Sequence, residues 1–160
     1  MAVNGVVAYL LIMPYYNPIP KIIENVSISF EINVFDMLYG SIIFLLILLT
    51  HEFLHAIFIP NFIRSNKTFW GFNINGGFVG TSEKLTKDNF ILISIAPFVL
   101  ISLVMPLILG LLGFMNGFVF FLTIFNTMAS SVDVLNMILI LFQVPQKSFI
   151  TANGYETYYK

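Results

Sequence analysis

Residues 36–59 read DMLYGSIIFLLILLTHEFLHAIFI, an acid followed by an uncharged apolar run that ends in His51-Glu52-Phe53-Leu54-His55. A helix needs about 20 predominantly apolar residues to cross a bilayer, so this stretch predicts a membrane span. The two histidines are the only ones in the chain. Four residues apart on a helix, they share one face, and their ring nitrogens can converge on one metal ion. Glu52 stands where the H-E-x-x-H pattern of zinc hydrolases carries its general base. Ionisable groups inside a span are costly, so their presence there calls for a functional reason.

The composition points the same way. Hydrophobic residues make up 58% of the 160, charged residues 9%, and the eighteen phenylalanines suit a protein solvated by acyl chains. A net charge of −1 gives nucleic acid no basic surface to meet, and the lack of cysteine rules out disulfides and thiolate metal ligands. Residues 1–13 carry no basic residue ahead of their apolar part, which makes a poor signal peptide, and they are too short to span.

Two further apolar stretches are long enough to cross, at about 89–112, interrupted by Pro97 and Pro106, and about 118–142. Only Gly113 to Gly117 separates them, which predicts an antiparallel pair. The fold expected is therefore an all-α polytopic bundle of three transmembrane helices, a single membrane-embedded domain over 1–160 with no internal repeat. Short extended segments decorate it. Residues 25–34 alternate apolar and polar as a half-buried strand does. Residues 72–79 read as a hairpin around Asn75-Gly76-Gly77, and 148–159 as a hairpin around Asn153-Gly154. The segment 60–88 holds Arg64, Lys67, Lys84 and Lys87, four of the seven basic residues, so the positive-inside rule assigns it to the cytoplasm. His51 and His55 then lie near the cytoplasmic end of their span, and Phe69 and Trp70 read as interfacial anchors.

A catalytic zinc site commonly has three protein ligands and one open position. With both histidines used, the third must be a carboxylate, and Asp133 is the one other ionisable side chain well inside an expected span. Asn126, Ser130 and Asp133 recur at i, i+4, i+7 and form one polar stripe on the third helix. Asp133 completes a His/His/Asp set, while Asn126 and Ser130 orient it or bind substrate backbone. The bland alternatives are a hydrogen-bonded core histidine, a chance pentapeptide, and polar residues acting as glue between helices. Against them, the chain places both of its histidines and a rare intramembrane acid in this arrangement. Pro97 and Pro106 read as kinks in the second helix.

His51-Glu52-Phe53-Leu54-His55 at the end of a span, a polar loop with a hairpin, Ile95-Ala96-Pro97-Phe98, and a third span with Asn126, Ser130 and Asp133 together resemble the small bacterial putative zincin peptidases. These are distantly similar to the site-2 intramembrane metalloproteases. The likeness runs from about residue 36 to the C-terminus, including Val144-Pro145-Gln146-Lys147 and the tail around Asn153-Gly154. It implies Zn2+ held by His51, His55 and Asp133, Glu52 as catalytic base, and a loop hairpin over 72–79 that holds an unwound substrate as an added strand. The chain departs from site-2 proteases where they carry Leu-Asp-Gly preceded by Asn-x-x-Pro. Here Val132 and Val134 flank the acid, position 129 is Ala, and the Asn-to-Asp spacing is one residue shorter.

The function expected is a zinc-dependent intramembrane endopeptidase of the bacterial cytoplasmic membrane, cleaving a membrane-protein or peptide substrate near the cytoplasmic face. The alternative is a non-catalytic, degenerate membrane scaffold that keeps a metal-binding polar cluster; a transporter subunit is a more remote third. The partners expected are the lipid bilayer and the substrate, with a homo-oligomer or a regulatory partner left open. No sensing domain fits between the second and third spans, so regulation would need such a partner or a preliminary cleavage of the substrate.

Overall fold

A computed structural model describes residues 2–19, 33–73, 76–153 and 156–160. Among the described residues, three helices are long and apolar enough to cross a membrane: Val34–Ile57, Lys87–Leu111 and Gly117–Gln143. The first is one unbroken helix, α2, preceded in the chain by α1 (Ala2–Ile12). The second is built from α3 (Lys87–Pro97), a π-helical segment (Phe98–Val104) and α4 (Met105–Leu111). The third divides at Ser130 into α5 (Gly117–Ala129) and α6 (Ser131–Gln143). The chain forms two compact units, residues 1–47 with 99–129, and residues 48–98 with 130–160.

In the first unit, α1 packs on α5, with the Tyr9 ring edge-on to Phe120 at 6.3 Å. Gly113 ends the helical run after α4. It takes φ +77°, and the Phe114 amide reaches back to Leu109 O at 2.8 Å, as a left-handed C-terminal cap requires. Asn116 then opens α5 by accepting from the Phe118 and Val119 amides, both at 3.0 Å. Thr123 and Thr127 satisfy their buried hydroxyls on carbonyls four residues back, Val119 O and Thr123 O. Asn126, 1% exposed, donates to Ser102 Oγ at 2.9 Å, tying α5 to the π-helical segment.

That segment lies between Pro97 and Pro106, neither of which has an amide hydrogen to give a regular α-helical ladder. The break at Ser130 falls on a Ser130-Ser131 pair, a type of sequence at which helices bend.

In the second unit, β1 (Thr68–Asn73) and β2 (Gly76–Thr81) form an antiparallel hairpin with Thr68 opposite Thr81 and Asn73 opposite Gly76. It is longer than the expected 72–79. Gly71 sits opposite Phe78 and Gly80 opposite Phe69, so each ring covers a residue with no side chain. The tail hairpin, β4 (Phe149–Asn153) with β5 (Glu156–Tyr159), forms within the expected 148–159. It gains a third strand, β3 (Leu85–Thr86), which pairs with β4. Of the expected turn positions, 75 and 154 lie outside the described residues. So does the expected strand 25–34 up to residue 32. Its last position, Val34, is helical: Asn33 Oδ1 accepts the Asp36 amide at 2.8 Å, which caps α2 and starts the helix at Val34.

Candidate metal centre

The last two turns of α2 carry His51-Glu52-Phe53-Leu54-His55, and α6 carries Asp133 in its first turn. His51 is buried, His55 and Asp133 half-buried. The imidazole rings stand 5.0 Å apart at 76° to each other.

The histidines and Asp133 converge. Asp133 Oδ2 lies 3.4 Å from His51 Nε2 and 3.5 Å from His55 Nε2. An N–H···O bond centres near about 2.9 Å, and these separations exceed its usual range. They match a different geometry: two atoms that each sit about 2.1 Å from a tetrahedral zinc are about 3.4 Å apart. Two imidazole nitrogens and one carboxylate oxygen are also donors that zinc accepts. The three residues therefore fit a zinc ion by donor type, and Asp133 stands at ligand spacing from each imidazole.

Around this trio the second unit supplies orientation. His55 Nδ1 lies 2.9 Å from Ile93 O on α3. A carbonyl oxygen has no hydrogen to give, so Nδ1 carries the proton, and the lone pair of the neutral ring is at Nε2, the atom nearest Asp133. Glu52 is half-buried, and its carboxylate lies near the Val79 backbone of β2. The hairpin is thus brought beside the motif.

Of the polar stripe, Asp133 joins the histidines. Asn126 is engaged with Ser102 in the first unit, and Ser130 is fully buried at the helix break, its carbonyl accepting from the Val134 amide. Two contributors had not been singled out in the sequence: Ile93, which acts through its backbone, and Val79. Ile93 did have a readable signal, since it lies four residues before Pro97.

Helices fit to span a membrane, with a His-His-carboxylate cluster at one helix end, define the chain as a membrane-type protein with a candidate metal centre. Residues 42–149, about two thirds of the chain, match the family described as "Putative zincin peptidase", and the chain belongs to that family. The matched region includes the whole H-E-x-x-H motif and Asp133. Neither the curated proteins nor the solved structures gave a match.

Proposed function

We propose that this protein is a zinc-dependent intramembrane endopeptidase that hydrolyses peptide bonds of a membrane-associated substrate near the cytoplasmic face. The observation that carries the reading is the convergence of His51 Nε2, His55 Nε2 and Asp133 Oδ2 at ligand spacing on helices apolar enough to span. In this reading those three residues hold the ion. Zinc with three protein ligands supplies a Lewis acid that makes water nucleophilic near neutral pH.

Glu52 takes the proton from the attacking water and delivers it to the leaving amine, while its contact with the Val79 backbone holds it beside β2. A helical substrate hides its carbonyls in hydrogen bonds, so it must be extended before attack. The hairpin next to Glu52 supports a substrate held as an added strand, in the manner of site-2 proteases. Asn126 and Ser130, both buried, serve to orient helices. The cytoplasmic assignment rests on Arg64, Lys67 and Lys84 between the first two spans, with Lys87 at the start of the second.

The test uses purified full-length protein in detergent, zinc measured by mass spectrometry, and fluorescein-labelled β-casein as probe. Wild type is expected to carry stoichiometric zinc and cleave. Glu52→Gln should keep the zinc and lose at least about 100-fold in rate, the scale of a general base. Cleavage by Glu52→Gln at the wild-type rate would sink the assigned chemistry. Wild type without zinc would sink the enzyme reading, and zinc without any cleavage would favour the degenerate scaffold.

A further inference from the structure

We propose that Pro97 is a positioning residue of the metal centre, acting through the carbonyl it leaves open. This rests on the zinc reading of His51, His55 and Asp133. In an α-helix the carbonyl of residue i accepts the amide of residue i+4, so Ile93 O would pair with the amide of residue 97. That residue is proline and has no amide hydrogen. The next amide along, Phe98, donates to Ile95 O. Ile93 O instead receives His55 Nδ1–H at 2.9 Å.

An open carbonyl in an apolar span demands a donor, and a histidine ring with one hydrogen demands an acceptor. Each meets the other's need. The consequence is directional. With Nδ1–H held by α3, His55 has one tautomer and one ring orientation, and its Nε2 lies 3.5 Å from Asp133 Oδ2. Metal-ligating histidines generally have their second ring nitrogen held in this way, and loss of the partner weakens metal binding by about 10- to 100-fold. In this chain the partner is a backbone atom that no side-chain substitution removes. The residue that controls it is Pro97: an amide restored at position 97 competes with His55 for Ile93 O.

Wild type, Pro97→Ala and Pro106→Ala can be compared in detergent by chelator-competition titration with zinc alone. The ring tautomers are read in metal-free protein by 15N NMR at alkaline pH. The chain has only two histidines, so the two ring systems are separable with a His51→Ala control. Pro106→Ala removes the other proline flanking the π-helical segment without touching Ile93. Pro97→Ala is expected to weaken zinc binding about 10- to 100-fold and to move His55 away from the Nδ1–H form. Pro106→Ala is expected to change neither.

Unchanged affinity and tautomer in Pro97→Ala would overturn the proposal and leave the zinc site standing. Equal losses in both proline variants would overturn it in favour of general helix distortion. Wild-type protein that binds no zinc would overturn the proposal and the site together. Should Pro97→Ala fail to fold, wild type alone still decides: His55 found as the Nε2–H form refutes the proposal.

Discussion

Replacing Lys87 with methionine removes two hydrogen bonds and little else. Lys87 stands at the start of α3, 5% exposed, and its Nζ donates to Leu141 O and Val144 O at 2.8 Å each. Both carbonyls belong to the end of α6, where the ladder runs out and a cation is favoured. Two bonds from a charged donor contribute about 3–6 kcal/mol before the cost of burying the ammonium is deducted. Neutral hydrogen bonds between membrane helices average only about 0.6 kcal/mol apiece, because the unfolded chain finds other partners in the bilayer. Methionine keeps the length and apolar stem of lysine, so packing changes little. The net loss expected lies between these bounds at about 2 kcal/mol, roughly 30-fold in the unfolding equilibrium. Lys87→Gln, whose amide still donates, should fall between wild type and Lys87→Met. Equilibrium unfolding in mixed micelles, followed by circular dichroism, measures all three. A Lys87→Met protein within about 0.5 kcal/mol of wild type, the scale of a neutral surface change, would refute the capping role.

Asp133→Ala removes one of three proposed ligands. With structural zinc sites worth about 10–16 kcal/mol over four ligands, the loss is about 3 kcal/mol, or at least 100-fold in zinc affinity by competition titration. Gly110 lies against Tyr15, and a Cβ there would meet the base of the ring at 2.5 Å. Gly110→Val is therefore expected to lose about 1–3 kcal/mol by overpacking, read as easier proteolysis of residues 13–19. In the loop, Ser65 Oγ donates to Glu83 Oε1 at 2.6 Å and Lys67 lies 3.6 Å from its other oxygen, which together hold the Glu83 carboxyl below its ordinary value of 4.5. A depressed carboxyl stabilises the fold above that value, and the contribution is lost as pH falls through the lowered one. Hydrogen exchange at the Lys67 and Ser82 amides should speed up below pH 4.5 after correction for intrinsic rates; unchanged protection would contradict the assignment.

The boundaries of the spans were legible because twenty apolar residues in a row have few other uses. Expected limits of 36–59, 89–112 and 118–142 became Val34–Ile57, Lys87–Leu111 and Gly117–Gln143. The gathering of His51, His55 and Asp133 was legible because charge is rare in such sequence and spacing reports the helix face. Periodicity does not report backbone hydrogen bonding, so the break at Ser130 and the π-helical segment stayed hidden. β3 is two residues long, too short for any alternation to register. Lys87 read as a loop charge supporting orientation, because nothing in the sequence places it beneath the end of α6.

One backbone rule links two of the contacts that were missed, those of Ile93 and Lys87. A proline inside or just after a helix opens the carbonyl four residues before it, and in an apolar environment a side chain must supply the donor. Pro97 opens Ile93 O, which takes His55 Nδ1–H; Pro145 opens Leu141 O, which takes Lys87 Nζ. Both contacts are made by α3, which bears no proposed ligand itself. Through Ile93 it fixes a ring on α2, and through Lys87 it grips the far end of α6, the helix that carries Asp133. Separations of 3.4 and 3.5 Å from Asp133 to the two imidazoles demand that α2 and α6 keep register to a few tenths of an ångström. Apolar packing alone sets such register loosely, since one lipid-like surface slides over another at little cost. Directional bonds from a common third helix set it tightly, and that is the physical reason for a buried lysine and a helix proline within ten residues of each other in α3.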